Sequence, residues 1–426
     1  MIAMPRFRLF FIVCVCMAYL PCPASAEALT LVRTEALWRD ANIDLKLAKH
    51  AISLAGGDVR TADRRENPNL SLSAVALSPR TGIGSGGLRD KNADSVIRLD
   101  QLLERGNKRQ LRTRSAEARL MAAERDAEEV QRAGLIQLHS AYWDLKLATV
   151  REMLTGSTAQ LARDAMTAAE KRLSVGDLSQ ADTSKLRVDA LRSDNDARTT
   201  IADRKKAQLA LALLIGRSND VYTLACADDW PSLQESNPAT TITAAQIESR
   251  SDVRAADQRV AAAESALEGA RALAKRDVTV GLQFEHFPSV GEAAPNNTWG
   301  LSVSIPLFAS HAYEGETLRS RAELDQARDQ AVRSRALASA EAGRASADLQ
   351  ASSERVKRLE ATLLPEAEKV ATAAEFSYRK GASSLLELLD ARRTLRQIQQ
   401  EAATARNDFA KALSAMRQQA PAQADK

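Results

Sequence analysis

No proline stands between Pro79 and Pro231, although the chain carries 12 prolines in 426 residues. Proline removes a backbone donor and clashes with the preceding turn, so its absence over such a span permits very long helices. Residues 106–174 are rich in Ala, Arg, Glu, Leu and Gln, with Leu135, Leu138, Tyr142, Leu145 and Thr149 near a heptad rhythm. At ~1.5 Å per residue, that helix is roughly 100 Å long. No globular core covers such a rod, so it must lie against similar rods. The C-terminal segment is stricter. Leu388, Leu395, Ala402, Phe409 and Met416 recur every seventh residue, with Ala391, Ile398, Ala405 and Ala412 in the d-like positions. That is a coiled-coil seam whose small residues allow close helix approach.

Residues 1–26 read as a secretory signal: Arg6 and Arg8, an apolar run from Leu9 to Leu20, then Ala24, Ser25 and Ala26 for cleavage. Cleavage before Glu27 removes Cys14, Cys16 and Cys22 and leaves Cys226 as a lone thiol, so no intrachain disulfide is expected and packing or assembly must stabilise the product. Tyr19-Leu20-Pro21 before Cys22 is a poor lipoprotein signal, which argues against lipidation. The formal net charge of +4 excludes a strongly basic nucleic-acid binder. Beyond the signal no run of roughly 18 apolar residues follows, so the product is either soluble outside the cytoplasm or crosses a membrane as β-strands.

Four segments alternate with period two. Val278, Val280, Leu282 and Phe284 are interleaved with Thr279, Gly281, Gln283 and Glu285; Trp299, Leu301, Val303, Ile305 and Leu307 with Gly300, Ser302, Ser304 and Pro306. Weaker versions are Leu70 and Leu72 with Ser71 and Ser73, and Ile97 and Leu99 with Val96, Arg98 and Asp100. Strands are expected near 69–77, 95–103, 277–287 and 298–308, each pair enclosing a Gly- and Pro-containing loop. Leu70 matches Val278, Leu99 matches Ile305 and Gly176 matches Gly381, all about 200 residues apart, which reads as a gene-scale duplication. The expected organisation is a first repeat over 27–216, an irregular connector over 217–243, a second repeat over 244–417 and a disordered tail over 418–426. Each repeat runs helix, strand, strand, long helix, turn, helix.

A strand of about 9 to 11 residues crosses a bilayer, and one apolar with one polar face suits a lipid-facing, water-filled barrel. The other reading is a periplasmic β-sandwich hairpin with one face buried. Four strands cannot close a membrane barrel, for which ~8 is the minimum, so protomers must share one: two copies supply ~8 strands, three supply ~12. The lipid-facing residues are then Val278, Val280, Leu282, Phe284, Trp299, Leu301, Val303 and Ile305.

The sequence resembles the TolC-like outer-membrane efflux proteins over essentially the whole processed chain. The resemblance rests on Ala28-Leu29-Thr30-Leu31, the stretch from Glu66-Asn67-Pro68 to Ala74, the corner Gln101-Leu102-Leu103-Glu104-Arg105-Gly106-Asn107-Lys108-Arg109, its repeat Ser304-Ile305-Pro306-Leu307-Phe308, and the turns at Gly176 and Gly381. It implies a mainly α protein with a membrane β-barrel: a homotrimer whose 12-stranded barrel continues into a coiled-coil α-barrel in the periplasm, docking on a periplasmic adaptor and an inner-membrane pump. It places the chain in the outer membrane of a Gram-negative bacterium. Two departures stand out, Ser251 for the Pro of an Arg-Pro-Asp stretch and Asp277 where a Pro commonly precedes the strand.

The resemblance also makes the two glycine turns the constricted periplasmic entrance, with Asp182, Glu387 and Asp390 at acidic gate positions and Tyr378 at an aromatic latch position; Ser383 replaces the Arg that latch uses. Rings of carboxylates at a narrow mouth favour cations and repel one another. The plainer reading is of first-turn acids stabilised by a helix N-terminus. Gly176, Asp177, Gly381 and Ala382 in the exposed turns are the expected adaptor contacts. The Gly-Asn-Lys-Arg corner and the Gly176-Asp177-Leu178-Ser179 turn look most like the heavy-metal branch, whose members export divalent cations. His50, His139, His286 and His311 are scattered, and no HExxH, CxxC or GxSxG pattern occurs. No enzyme, cofactor or bound metal is expected. The expected function is a passive exit duct of a tripartite efflux system for metals, drugs or secreted polypeptides; the alternative is a periplasmic coiled-coil scaffold.

Overall fold

The computed structural model describes residues 27–75, 94–217, 221–235, 242–287 and 297–419. The proposed signal and the loops of both strand pairs lie outside the described residues. The chain begins with β1 (Glu27–Leu29), α1 (Leu31–Ala41) and α2 (Ile43–Ala62). Thr30 and Asn42 start the two helices by accepting the backbone N–H groups of Arg33 and Leu45 at 3.2 and 2.9 Å. After β2 (Asn69–Val75) and β3 (Asp94–Leu103) come α3 (Lys108–Ser174, 67 residues) and α4 (Gln180–Leu214, 35 residues). The second half holds β4 (Leu224–Cys226), α5 (Ala244–Glu248), α6 (Ser251–Ala272), β5 (Val278–His286) and β6 (Asn297–Ser304). It ends with α7 (Glu314–Arg358, 45 residues), α8 (Leu364–Arg379) and α9 (Leu385–Arg417). Between α7 and α8, Leu359–Leu363 form a π turn. Pro365 lacks the N–H that Ala361 would accept, and the widened turn relieves the ring's clash with that carbonyl.

Helices dominate and pack side by side: α3 against α2, α4, α6 and α9; α7 against α6 and α9; α8 against α9. The α7–α9 seam buries Leu349, Val356 and Leu359 against Ala405, Phe409, Leu413 and Met416, the heptad residues of α9. Leu395 and Ile398 of the same heptads are only half-buried.

The largest core lies midway along the rods, where Trp38, Leu138, Tyr142, Trp143 and Leu211 enclose the parallel pair β1–β4, with Leu29 opposite Cys226. The Tyr142 hydroxyl sits 2.8 Å from the Leu29 carbonyl and 2.9 Å from Asp228 Oδ2, which also accepts the Leu31 N–H at 2.6 Å. Three expectations need correction here. The connector over 217–243 is not wholly irregular, because β4 lies within it and is held by β1. The tail does not begin at 418: Gln419 is buried and its Oε1 accepts from the Arg250 guanidinium at 2.6 Å. The last strand ends at Ser304, so Ile305 is not a strand residue. Pro306 has no N–H to continue the ladder and confines the residue before it.

Candidate functional site

The four longer strands form one antiparallel sheet in the order β2-β3-β5-β6. Its register aligns Leu70, Leu99, Leu282 and Leu301 in one row and Leu72, Ile97, Phe284 and Trp299 in the next. Val280 pairs with Val303, and Val278 with Leu103. The apolar set from all four strands thus shares one face, and among the described residues no element covers it: Leu301 is 76% and Trp299 71% exposed. The opposite face carries Ser71, Arg98, Gln283 and Gly300 in one row and Asn69, Asp100, Gly281 and Ser302 in another. Arg98 Nε bridges both Asp100 carboxylate oxygens at 2.9 and 2.8 Å. That pair needs a bare neighbour, since a Cβ on Gly281 would stand 2.3 Å from Asp100 Oδ1. Among the described residues, the outer strand β2 bonds only to β3 and the outer strand β6 only to β5.

Beneath the sheet, Gly106 (φ 79°) and Asn107 (φ 60°) take left-handed conformations that turn β3 sharply into α3. Asp277 clamps this corner by accepting the Arg105 N–H at 2.8 Å and the Lys108 ammonium at 2.7 Å. The residue that departs from the resembling family's Pro thus joins the two halves of the chain.

At the opposite end, the α3–α4 and α8–α9 turns share one geometry. Gly176 (φ 78°) and Gly381 (φ 72°) end their helices in the left-handed region, each donating its N–H at 3.0 Å to the carbonyl three residues earlier. Ser179 and Ser384 then start the next helices, accepting the Asp182 and Glu387 N–H groups at 3.0 and 3.3 Å. Gly176, Asp177, Gly381 and Ala382 are all exposed. The candidate gate acids differ from one another. Asp182 is occupied by the Ser179 hydroxyl at 2.8 Å and the Lys185 ammonium at 3.1 Å, which hold its carboxyl below the usual aspartate range. Glu387 and Asp390 are exposed on α9. Tyr378 packs against the small core of Ala169, Leu186, Leu385 and Leu388 that joins the hairpins, and it lies beside Arg172.

Sequence reasoning missed the polar links between these hairpins. Arg396 of α9 reaches Asp189 at 3.5 Å and the Ser193 hydroxyl at 3.1 Å on α4. Arg172 bonds Asp177 at 2.8 Å on the same side as Tyr378, offering a cation where Ser383 has none. No local pattern announces the Arg396 contacts, because they join residues that only tertiary packing brings together, whereas Arg172 and Asp177 lie five residues apart in one turn. Among the described residues no group of three or more His, Cys, Asp or Glu side chains is gathered as for a metal ion, and no helix is long and apolar enough to cross a membrane. Cys226 is half-buried, and burial pushes its thiol up to about 12, which suppresses the reactive thiolate.

The family model for outer membrane efflux proteins matches residues 36–217 and 244–420. The chain belongs to that family. This outer membrane efflux protein is 25% identical, over 87% of its own length and 85% of the relative's, to the cobalt-zinc-cadmium resistance protein CzcC of Cupriavidus metallidurans. Its fold is that of solved outer membrane channels. The Campylobacter jejuni CmeC outer membrane channel superposes with a TM-score of 0.79 at 16% identity, covering 91% of this chain and 85% of that one. A membrane protein from Pseudomonas aeruginosa superposes at 0.78 and 19%, covering 91% and 93%. The proteins it resembles are outer membrane efflux channels, which are transporters rather than enzymes.

Proposed function

We propose that the chain is the exit duct of a tripartite efflux system: three copies share a 12-stranded barrel in the outer membrane, and their helices continue as a tunnel towards an adaptor and an inner-membrane pump. The four-stranded sheet carries this reading. It has one uncovered apolar face, one polar face and two outer strands with an open side, and such a sheet is stable when copies close it into a ring in lipid. A soluble scaffold gives no reason for that face. The cargo assigned is divalent metal cations, supported by the similarity to a cobalt-zinc-cadmium resistance protein. Glu387 and Asp390 ring the periplasmic mouth and favour cations there, while Asp182, already engaged by Ser179 and Lys185, serves its own turn.

Envelope fractionation and the mass of the detergent-extracted complex test the duct: an outer-membrane trimer is expected, and a soluble monomer overturns it. In planar bilayers, Glu387→Ala with Asp390→Ala is expected to lower cation preference; unchanged conductance and selectivity would remove the gate assignment. Deletion of the gene is expected to sensitise cells to zinc, cobalt or cadmium, and sensitisation to drugs alone would reassign the cargo.

A further inference from the structure

We propose that the helix-side rim of the sheet carries a binding belt for anionic phospholipid headgroups of the periplasmic leaflet, formed by Arg64, Arg65, Arg105 and Arg276; this rests on the reading of the sheet as a shared membrane barrel. On the apolar face the paired rows end with Leu103 opposite Val278. Two residues beyond these strand ends stand Arg105 and Arg276, while Arg64 and Arg65 lie on the lead-in to β2. All four are exposed. The apolar surface runs up to them, with Leu307 77% and Leu103 49% exposed.

Charge bookkeeping at this corner is selective. Lys108, Arg109 and Arg112 are taken up by Asp277, Asp63 and Glu104 at 2.7, 3.3 and 2.8 Å. Among the described residues, none of the four belt guanidinium groups has a carboxylate partner; Arg276 instead lies over the Phe308 ring, 5.5 Å from its centroid. On the helices Arg125, Arg198 and Arg335 are likewise paired with acids, whereas exposed Arg192, Arg333 and Arg344 are not paired among the described residues, so what sets the four apart is their place beside the apolar band. Unneutralised guanidinium groups bordering a lipid-facing apolar band are placed to meet phosphate, which they bind in a fork geometry, and the attraction to an anionic leaflet adds with each cation.

The test uses the full processed chain, delipidated in detergent and titrated with phosphatidylglycerol or phosphatidylcholine of the same acyl chains, with bound lipid counted by native mass spectrometry. The wild type is expected to prefer phosphatidylglycerol by about tenfold or more. Replacing all four arginines by Gln should bring that ratio close to one, and replacing them by Lys should retain most of it. Raising the salt concentration should weaken the wild-type preference, which keeps the proposal testable even where the Gln variant fails to assemble. A wild type that inserts into vesicles of either lipid but binds both headgroups equally overturns the belt alone. Failure to enter any vesicle overturns the barrel and the belt together. Displacement of the lipid by an equal concentration of inorganic phosphate would assign the site to a free anion and overturn the proposal.

Discussion

At the scale of single residues, the polar groups in the middle of the rods are the ones with most to lose. The Tyr142 hydroxyl is fully buried and serves both the Leu29 carbonyl and Asp228. Tyr142→Phe removes this hydroxyl while the Leu29 carbonyl keeps the Ala227 N–H and Asp228 keeps the Leu31 N–H, so it is expected to cost only ~0.5–1.5 kcal/mol, read as a lower denaturation midpoint in detergent. Burial also raises the Tyr142 phenol well above its ordinary range, so it stays a neutral donor. Asp182 gives a pH dependence of known sign. Its carboxyl is depressed by the Ser179 hydroxyl and by Lys185, so it contributes its full stabilisation above the ordinary aspartate value of ~3.9 and loses it as pH falls through the lower folded value. Hydrogen-exchange protection factors at the α3–α4 turn, corrected for the intrinsic rate, should therefore fall at acid pH in the wild type, and that fall should vanish in Asp182→Asn.

At the scale of elements, the period-two segments were the readable part of the sheet. One face meets polar surroundings and the other does not, and that asymmetry is written into every second residue of β5 and β6. Leu301→Arg is expected to reduce membrane assembly sharply, by analogy with the ~2–4 kcal/mol cost of a basic side chain in mid-bilayer on a lipid face, and Ser302→Arg much less, as judged by the heat-resistant oligomer on gels. Gly281→Val should also impair assembly, for the different reason that its side chain would displace the Asp100 carboxylate from Arg98. What the sequence hid were elements too short to show a period. The strands β1 and β4 have three residues each, and their pairing depends on a core assembled from distant segments. Asp277 was visible as an oddity, but its two partners on another repeat were not.

At the scale of the molecule, heptads and proline placement revealed long rods, and the exposed sheet face supports the proposal that copies share one barrel. Within the chain β2 and β6 are separated by β3 and β5, about 14 Å by strand spacing, too far for a disulfide. Ser71→Cys combined in turn with Gly300→Cys, Ser302→Cys and Ser304→Cys should therefore give only cross-links between copies, in a ladder that stops at the trimer. A band confined to the monomer would show that the sheet closes some other way. The contacts between the two turn hairpins were the least legible feature at this scale, because Arg396 and Asp189 belong to helices whose mutual rotation no local pattern specifies.

The pairing of β1 with β4 also sets an order of events in time. At about 5–20 residues per second of synthesis, the partner of Leu29 emerges roughly 10–40 s after it. Through that interval the first strand has no mate, and its backbone donors stay open to any other edge. The waist of the rod is thus among the last parts of the first half to close, and a chain stalled before Cys226 would carry a loose end at its middle.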